Sequence, residues 1–225
     1  MRTTAFNHLI ITVFAISALF TACSKDKDGK GGVKITMIAS TITIPDSDNG
    51  IGIAGTGDIT IDWGDGTGKE TFSLSSFDGQ FYDIYDIKEK YNYKHYYGGT
   101  ATRTITITGE NITALTVGSY IPMSLTSLDV SSNITLTYLS CYYNQLTTLD
   151  VSSNTKLIRL YFEGNQLTAS ALNDFFRSLP DNTSYTKRIN GPHFISPSCI
   201  VIFGNPGTSY CDVSIAEEKG WRVWH

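Results

Sequence analysis

The sequence lacks the charge imbalance and the long apolar runs that mark nucleic-acid-binding and membrane-spanning chains. Among its 225 residues, Lys and Arg number 17 while Asp and Glu number 21, which gives a net charge of −4. No polybasic patch interrupts this balance, so electrostatics argue against a nucleic-acid partner. The apolar run from Leu9 to Phe20 has about a dozen residues, which is too short to span a bilayer comfortably.

Motifs that carry catalysis or bind cofactors are missing as well. The chain has no nucleophile elbow, no P-loop, no dinucleotide-binding glycine motif and no pair of carboxylates set for acid–base work. No Cys/His spacing matches a zinc site, and the histidines are scattered at His8, His95, His193 and His225. We therefore predict that the protein is not an enzyme and that it has no catalytic residues, no cofactor and no metal ion.

What the sequence has instead is an internal repeat. LTSLDVSSN begins at Leu125, LTYLSCYYN at Leu136, LTTLDVSSN at Leu146 and LIRLYFEGN at Leu157. The first and third copies are nearly identical, whereas the second and fourth match each other less closely. The repeating unit is therefore 21 residues long and consists of two unequal halves. A degenerate earlier copy, ITALTVG, begins at Ile112.

The pattern fits stacked turns of chain that bury the same positions each time. The two leucines and the following apolar residue face inward, and an Asn follows where the chain leaves a short strand. Its amide can bond backbone groups of neighbouring turns that would otherwise be buried without partners. Successive turns are expected to pair as parallel strands about 4.8 Å apart. The inward apolar positions are Val130, Cys141, Val151 and Phe162, and the asparagines are Asn133, Asn144, Asn154 and Asn165.

This pattern resembles the leucine-rich repeats of the internalin type, whose signature is L-x-x-L-x-L-x-x-N/C-x-L. The resemblance covers residues 112–167, and we assign residues 111–167 to the repeats. It implies a short solenoid that presents an extended binding surface, and it points to protein binding and adhesion.

The first 32 residues are typical of a bacterial lipoprotein. Arg2 precedes the apolar run, and Phe20-Thr21-Ala22-Cys23 resembles a lipobox, although Phe20 stands where Leu is usual. The resemblance implies that residues 1–22 are a signal peptide and that Cys23 carries the lipid, including palmitate. An ordinary signal peptide with an incidental Cys is the alternative.

Residues 23–32 are polar and rich in glycine, as expected for a flexible tether. Within them, Ser24, Lys25 and Asp26 resemble the tag that exports some Gram-negative lipoproteins to the outer face of the outer membrane. We therefore expect an outer-membrane, lipid-anchored protein that faces the cell exterior. A periplasm-facing anchor is the alternative, and the lipid is the only membrane contact that we expect.

Residues 33–110 have the alternation of a β domain. VKITMIASTITI and TRTITITG alternate as strands, and Gly64-Asp65-Gly66 is suited to a tight turn. Asp62-Trp63-Gly64-Asp65-Gly66 and the later His95-Tyr96-Tyr97 resemble the β-sandwich of polycystic-kidney-disease (PKD)-like domains. The resemblance implies that Trp63 packs inside the sandwich. The spacing of Asp62 and Asp65 does not match a calcium loop, so we expect their carboxylates to bond turn amides.

Residues 168–225 are expected to cap the end of the repeats, because a solenoid otherwise exposes a bare apolar face. An amphipathic helix with Ser170 as its cap ends at Pro180, and a strand, a short helix and a final strand follow. Cys199 and Cys211 flank the turn at 204–207, and an exported protein can form a disulfide there. The sequence leaves that pairing open. The fold class that follows is mainly β: a PKD-like sandwich, a short repeat solenoid and a helix/strand cap.

Repeats place their outward residues in rows, and one set of rows carries interface residues. Tyr and Arg anchor interfaces most often, so we predict a ligand-facing side; the alternative is an ordinary solvated β face. Two functions remain open: a protein-binding adhesion module, or a glycan-binding accessory lipoprotein that captures polysaccharide. The glycan alternative draws on tyrosines at positions 82, 85, 91, 93, 96 and 97. The predicted binding residues are Tyr138, Ser140, Tyr142, Arg159, Tyr161 and Glu163.

Overall fold

The computed structural model describes residues 32–39, 50–76, 91–97, 101–118, 124–184 and 198–225. The predicted signal peptide, Cys23 and most of the tether lie outside these ranges. Within them the chain is mainly β, as predicted. No helix in these ranges is both long enough and apolar enough to cross a bilayer. The strands are β1 Val33–Ala39, β2 Gly50–Gly55, β3 Asp58–Asp62, β4 Lys69–Ser73, β5 Asn92–Lys94, β6 Arg103–Gly109, β7 Ile112–Thr116, β8 Leu125–Asp129, β9 Tyr138–Ser140, β10 Arg159–Tyr161, β11 Cys199–Val201 and β12 Arg222–Trp224; the helices are α1 Ala169–Ser178 and α2 Ser214–Glu217.

The described strands form two sheets. The five-stranded sheet has the order β4-β3-β6-β1-β8, and its neighbours are all antiparallel. The seven-stranded sheet has the order β12-β11-β10-β9-β7-β2-β5. In this sheet β7, β9, β10, β11 and β12 are parallel to one another, whereas β2 and β5 are antiparallel to their neighbours. Both sheets run across the boundary predicted between residues 110 and 111, because β1 pairs with β8 and β2 pairs with β7.

One hydrophobic core joins residues from both sheets. Buried apolar residues of this cluster extend along the chain from Val33 to Trp221. In β1, every second residue is buried, which is the alternation that the sequence predicts. The inward positions of the repeats are confirmed, since Val130, Cys141, Val151 and Phe162 are all fully buried. Burial also raises the pKa of the Cys141 thiol well above its usual range.

Three buried asparagines make the same contacts at the turns that follow β9, β10 and β11. Asn144 Nδ2 donates to the carbonyls of Val117 and Cys141, at 2.9 and 3.1 Å, while its Oδ1 accepts from Leu125 N at 3.0 Å. Asn165 repeats this arrangement with Cys141 O, Phe162 O and Leu146 N, at 2.9, 3.2 and 3.1 Å. Each amide thus ties its own turn to the preceding one and satisfies buried backbone groups.

The third asparagine of this ladder is Asn205, which lies in the turn expected at residues 204–207 and outside the predicted repeats. Its Nδ2 donates to Phe162 O and Ile202 O, both at 3.0 Å, and its Oδ1 accepts from Leu167 N at 3.1 Å. The segment Ile200–Asn205, which begins in β11, therefore adds one more turn of the same kind. A local signal was present, because IVIFGN matches the pattern of LYFEGN.

The asparagines of the other half-repeat behave differently. Asn154 Nδ2 donates to Val130 O at 3.0 Å and to Asn133 O at 2.8 Å. Asn133 belongs to the first copy, and among the described residues its buried Nδ2 has no partner. Its Oδ1 accepts from Thr135 Oγ1, at 3.0 Å. The third copy thus bonds back to the first through its asparagine.

The C-terminal segment confirms the order helix, strand, helix, strand, with one correction. Helix α1 is capped by Thr168, whose side chain accepts from Ala171 N, and not by Ser170. The disulfide that the sequence left open does not form, because Cys199 and Cys211 are not bonded to each other. Cys211 packs against the core and its Sγ donates to Thr208 O at 3.4 Å. Cys199 alternates with the core residue Ile200, so the two thiols lie on different sides of β11.

We predict that Asn165→Ala lowers the free energy of unfolding by roughly 2–4 kcal/mol, because it leaves several buried backbone groups without partners. Urea denaturation at neutral pH measures the change. Asn133→Ala is the matched control and should cost only about 1 kcal/mol, since its amide makes a single side-chain bond within the described part of the chain. Equal losses in the two variants would contradict the ladder's role.

Candidate binding face

The parallel strands present one side to the core and the other side away from it, and we call the latter the outer face. Sheet register aligns its residues in rows: Tyr138 pairs with Arg159, and Ser140 with Tyr161. These are the pairs that the repeat spacing predicts. Beyond β10 the rows continue through Cys199 and Val201 to Arg222 and Trp224. The outer face consists of Tyr138, Ser140, Tyr142, Arg159, Tyr161, Glu163, Cys199, Val201, Phe203, Arg222 and Trp224.

Half of the predicted ligand-facing residues are buried, which corrects the prediction for these three. Tyr138 and Tyr142 are each 3% exposed, and Ser140 is fully buried. The physical reason is a second apolar cluster, in which these tyrosines pack over the small residues Ala54 and Ala114 of the neighbouring strands. Burial accordingly raises the pKa of Tyr138 well above its usual range, with smaller effects from Tyr161 and other neighbours.

The exposed part of the outer face lies toward the C-terminal strands. Phe203 and Trp224 are 48% and 43% exposed, and the guanidinium of Arg222 stacks 4.2 Å from the Trp224 ring centroid. Arg159, Tyr161 and Glu163 are half-buried. These three predicted binding residues thus share the outer face with exposed aromatic rings, Phe203 and Trp224, that are not among the predicted binding residues.

Tyr143 lies at the edge of this face in an unusual backbone conformation. Its φ is 50°, a left-handed value that the corresponding residues of the next two turns, Gly164 and Gly204, also adopt. For a bulky residue this conformation is uncommon, whereas glycine adopts it freely. The Tyr143 ring lies over Gly164, where a Cβ would clash with it. It also meets Tyr142 edge-on at 5.6 Å and remains 43% exposed.

Glu163 occupies the row between Tyr142 and Phe203. Tyr143 N donates to Glu163 O at 2.8 Å, and Gly164 N donates to Phe203 O at 2.7 Å, so the strand register continues through this row. Burial raises the pKa of the Glu163 carboxyl, and backbone amides at Glu163 and Phe162 offset only part of this effect. Among the described residues, its buried Oε2 has no hydrogen-bond partner.

A separate polar cluster surrounds Trp63, at the turn after β3. Trp63 is 2% exposed and stacks on His95, with 4.9 Å between ring centroids and 13° between planes. The buried position of Trp63 is confirmed. Tyr97 OH donates to Trp63 O at 3.1 Å, and the Tyr97 ring stands edge-on to both rings. Gly64 and Gly66 adopt the positive φ values that the turn predicts.

The carboxylates of this turn bond its own amides, as predicted. Asp62 Oδ1 accepts from Gly64 N at 3.0 Å, and Asp65 Oδ1 accepts from Thr67 N and Thr67 Oγ1, at 3.1 and 2.6 Å. Asp65 Oδ2 lies 2.7 Å from His95 Nε2, so Asp65 also ties the turn to the β5 segment. Hydrogen bonds from Thr67 and then from His95 hold the pKa of Asp65 well below its usual range.

The tyrosines proposed as a glycan platform have different environments. Tyr91 is 5% exposed and Tyr97 belongs to the Trp63 cluster, whereas Tyr96 is 66% exposed. Tyr93 is half-buried against Phe72, and Tyr82 and Tyr85 lie outside the described residues. In the described ranges, the structure therefore does not bring these rings together into a single exposed platform.

The described side chains form no cluster of three or more His, Cys, Asp or Glu that could hold a metal ion. The chain matches no protein family, no curated protein and no solved structure.

We predict that acid weakens the fold partly through Asp65. In the unfolded chain this carboxyl titrates near its ordinary pKa of 3.8, whereas the folded chain keeps it ionised to lower pH. The unfolded state therefore binds more protons below about pH 4, and stability falls as the pH falls through that window. Asp65→Asn should show a shallower decline of the urea midpoint between about pH 4.5 and pH 2.5.

Thr67→Val is the companion variant, because it removes the strongest hydrogen bond to Asp65 and leaves the carboxyl in place. Its midpoint should decline less steeply than that of the unaltered chain. Parallel declines in all three proteins would show that Asp65 does not carry this pH dependence.

Proposed function

We propose that this chain is a non-enzymatic, lipid-anchored binding protein of the bacterial cell surface, whose leucine-rich repeats recognise a protein partner. The repeating amide ladder of Asn144, Asn165 and Asn205 is the observation that supports the repeat assignment most directly. Each amide accepts and donates the same kinds of backbone bond, one turn apart. Stacked turns of this kind form extended surfaces suited to binding other macromolecules.

The exposed composition of the outer face favours a protein partner. Phe203, Trp224, Tyr161 and Arg222 are of residue types that carry much of the energy of protein interfaces. Arg222 is already held against Trp224, so less side-chain entropy is lost when a partner binds. A glycan ligand is the alternative, which the following experiment separates.

The full-length chain, purified in detergent, is tested against immobilised extracellular-matrix proteins and soluble polysaccharides. We expect saturable binding to a protein. Phe203→Ser combined with Trp224→Ser should weaken it about tenfold or more, since truncating interface anchors typically costs 2 kcal/mol or more. Biolayer interferometry measures the affinities. Both side chains are about half exposed, so folding should be preserved.

Tyr210→Ser is the matched control, because Tyr210 is 83% exposed and lies between β11 and α2, outside the rows that define the outer face. It should bind as the unaltered chain does. Binding only to a polysaccharide would move the assignment to glycan capture. A protein interaction that is equally strong in the double variant would exclude the outer face as the interface.

The anchor rests on Cys23, which lies outside the described residues. We predict that Cys23→Ser, expressed in a Gram-negative bacterium, no longer incorporates labelled palmitate and leaves the membrane fraction. Cys211→Ser is the control, and it should remain lipidated and membrane-bound. If Cys23→Ser and the unaltered chain fractionate alike, the N-terminal segment is an ordinary signal peptide or an uncleaved one.

A further inference from the structure

The surroundings of Glu163 combine a negative charge with aromatic side chains on several sides. In its row, Tyr142 precedes it on the neighbouring turn and Phe203 follows on the next. Tyr161, the last residue of β10, is two residues before Glu163 and lies on the outer face. Tyr143 extends over the adjacent Gly164. Three partly exposed aromatic residues, Tyr143, Tyr161 and Phe203, thus lie next to Glu163 in the sheet, while Tyr142 beside it is buried.

Two features of this group weaken the fold instead of strengthening it. Glu163 keeps a buried carboxylate oxygen without a hydrogen-bond partner among the described residues. Such an atom is costly unless something completes it. Tyr143 adopts a left-handed backbone where the following turns have glycine, and its ring is not buried in return. Costs of this kind, gathered at one place, are typical of functional sites.

We infer that Glu163 and its aromatic neighbours form a cation-accepting pocket, which takes a lysine or arginine side chain from the protein partner. A carboxylate supplies the charge-assisted hydrogen bond that such a side chain requires. Tyrosine faces attract organic cations through the ring quadrupole. This inference rests on the proposed function, since it specifies the chemistry of the partner at the same face.

The net charge of the chain and the negative charge of Glu163 both favour a basic partner. The chain carries a net charge of −4, which favours encounter with a basic partner. Arg159 and Arg222 share the outer face, but they lie in a row four residues from that of Glu163. The two rows are therefore separated along the strand direction.

The test uses hexalysine and hexaarginine as probes, with hexaglutamate and neutral oligosaccharides for comparison. The full-length chain is titrated at neutral pH and low salt by isothermal calorimetry. We expect the two basic peptides to bind and Glu163→Gln to weaken them about tenfold or more. Glu110→Gln is the matched control, because Glu110 is exposed on the turn between β6 and β7. It should bind as the unaltered chain does.

A stability measurement separates a binding role from a structural one. Glu163→Gln removes a desolvated charge, so its urea midpoint at neutral pH should rise and the difference should shrink at acid pH. Tyr143→Gly introduces the residue that the two following turns have at this position, where glycine adopts the left-handed backbone freely. It should therefore weaken peptide binding without loss of stability. If both variants instead destabilise the fold and leave peptide binding unchanged, the pocket is structural and the inference fails.

The two proposals fail separately. A protein partner whose affinity is unaffected by Glu163→Gln would preserve the proposed function and overturn the cation pocket. Basic peptides that bind through Glu163, in a chain that binds no protein in the panel, would preserve the pocket and overturn the proposed function. Tighter binding of hexaglutamate or of an oligosaccharide than of hexalysine would overturn the cation pocket directly.

Discussion

The buried asparagine amides are the interaction on which the parallel part of this fold depends. Where the chain leaves a strand at each turn, backbone groups face the core, and water cannot reach them there. Asn144, Asn165 and Asn205 satisfy these groups with one side chain each, because an amide can donate and accept at the same time. Apolar burial alone would not select the register, whereas these amides hold each turn to the one before it.

Because the inner positions are fixed by packing and by these amides, the outer face is free to vary. Its residues divide into a buried tyrosine cluster near β7 and β9 and an exposed aromatic part near β10, β11 and β12. The buried cluster includes Ala54 of β2 and Ala114 of β7, and these two strands pair where the antiparallel part of the sheet begins. Binding chemistry is therefore expected at the C-terminal side of the sheet, where side chains are still accessible.

Periodicity in the sequence predicts which residues face the core. Val130 and Phe162, for example, occupy the same position of the repeat, and both are fully buried. Packing demands the same residue class at each turn, so the pattern is visible in one sequence. The Trp63 turn was predictable for a similar local reason, since Asp62 and Asp65 bond amides only two residues away.

Features that depend on distant segments could not be predicted in this way. Asn205 follows Asn165 by about two repeat lengths, because helix α1 and further chain intervene, so counting residues did not find it. Alternation places Tyr138 and Tyr142 outside the core, but it does not show what else packs on that side. Their burial arises from contacts with Ala54 and Tyr91, which lie far away in the chain.

The pairing of β1 with β8 has a consequence for how the chain folds. Lys34 N donates to Ser132 Oγ across 98 residues, so the first strand closes the first repeat from a great distance in sequence. A chain made from its N-terminus must keep β1 without this neighbour until β8 has been synthesised. Pairings of such long range slow folding, because the entropy of loop closure is lost before the contacts form. Completion of the five-stranded sheet is therefore expected to be a late event in folding. Until β8 pairs with it, β1 has an unpaired edge to which other chains can bind.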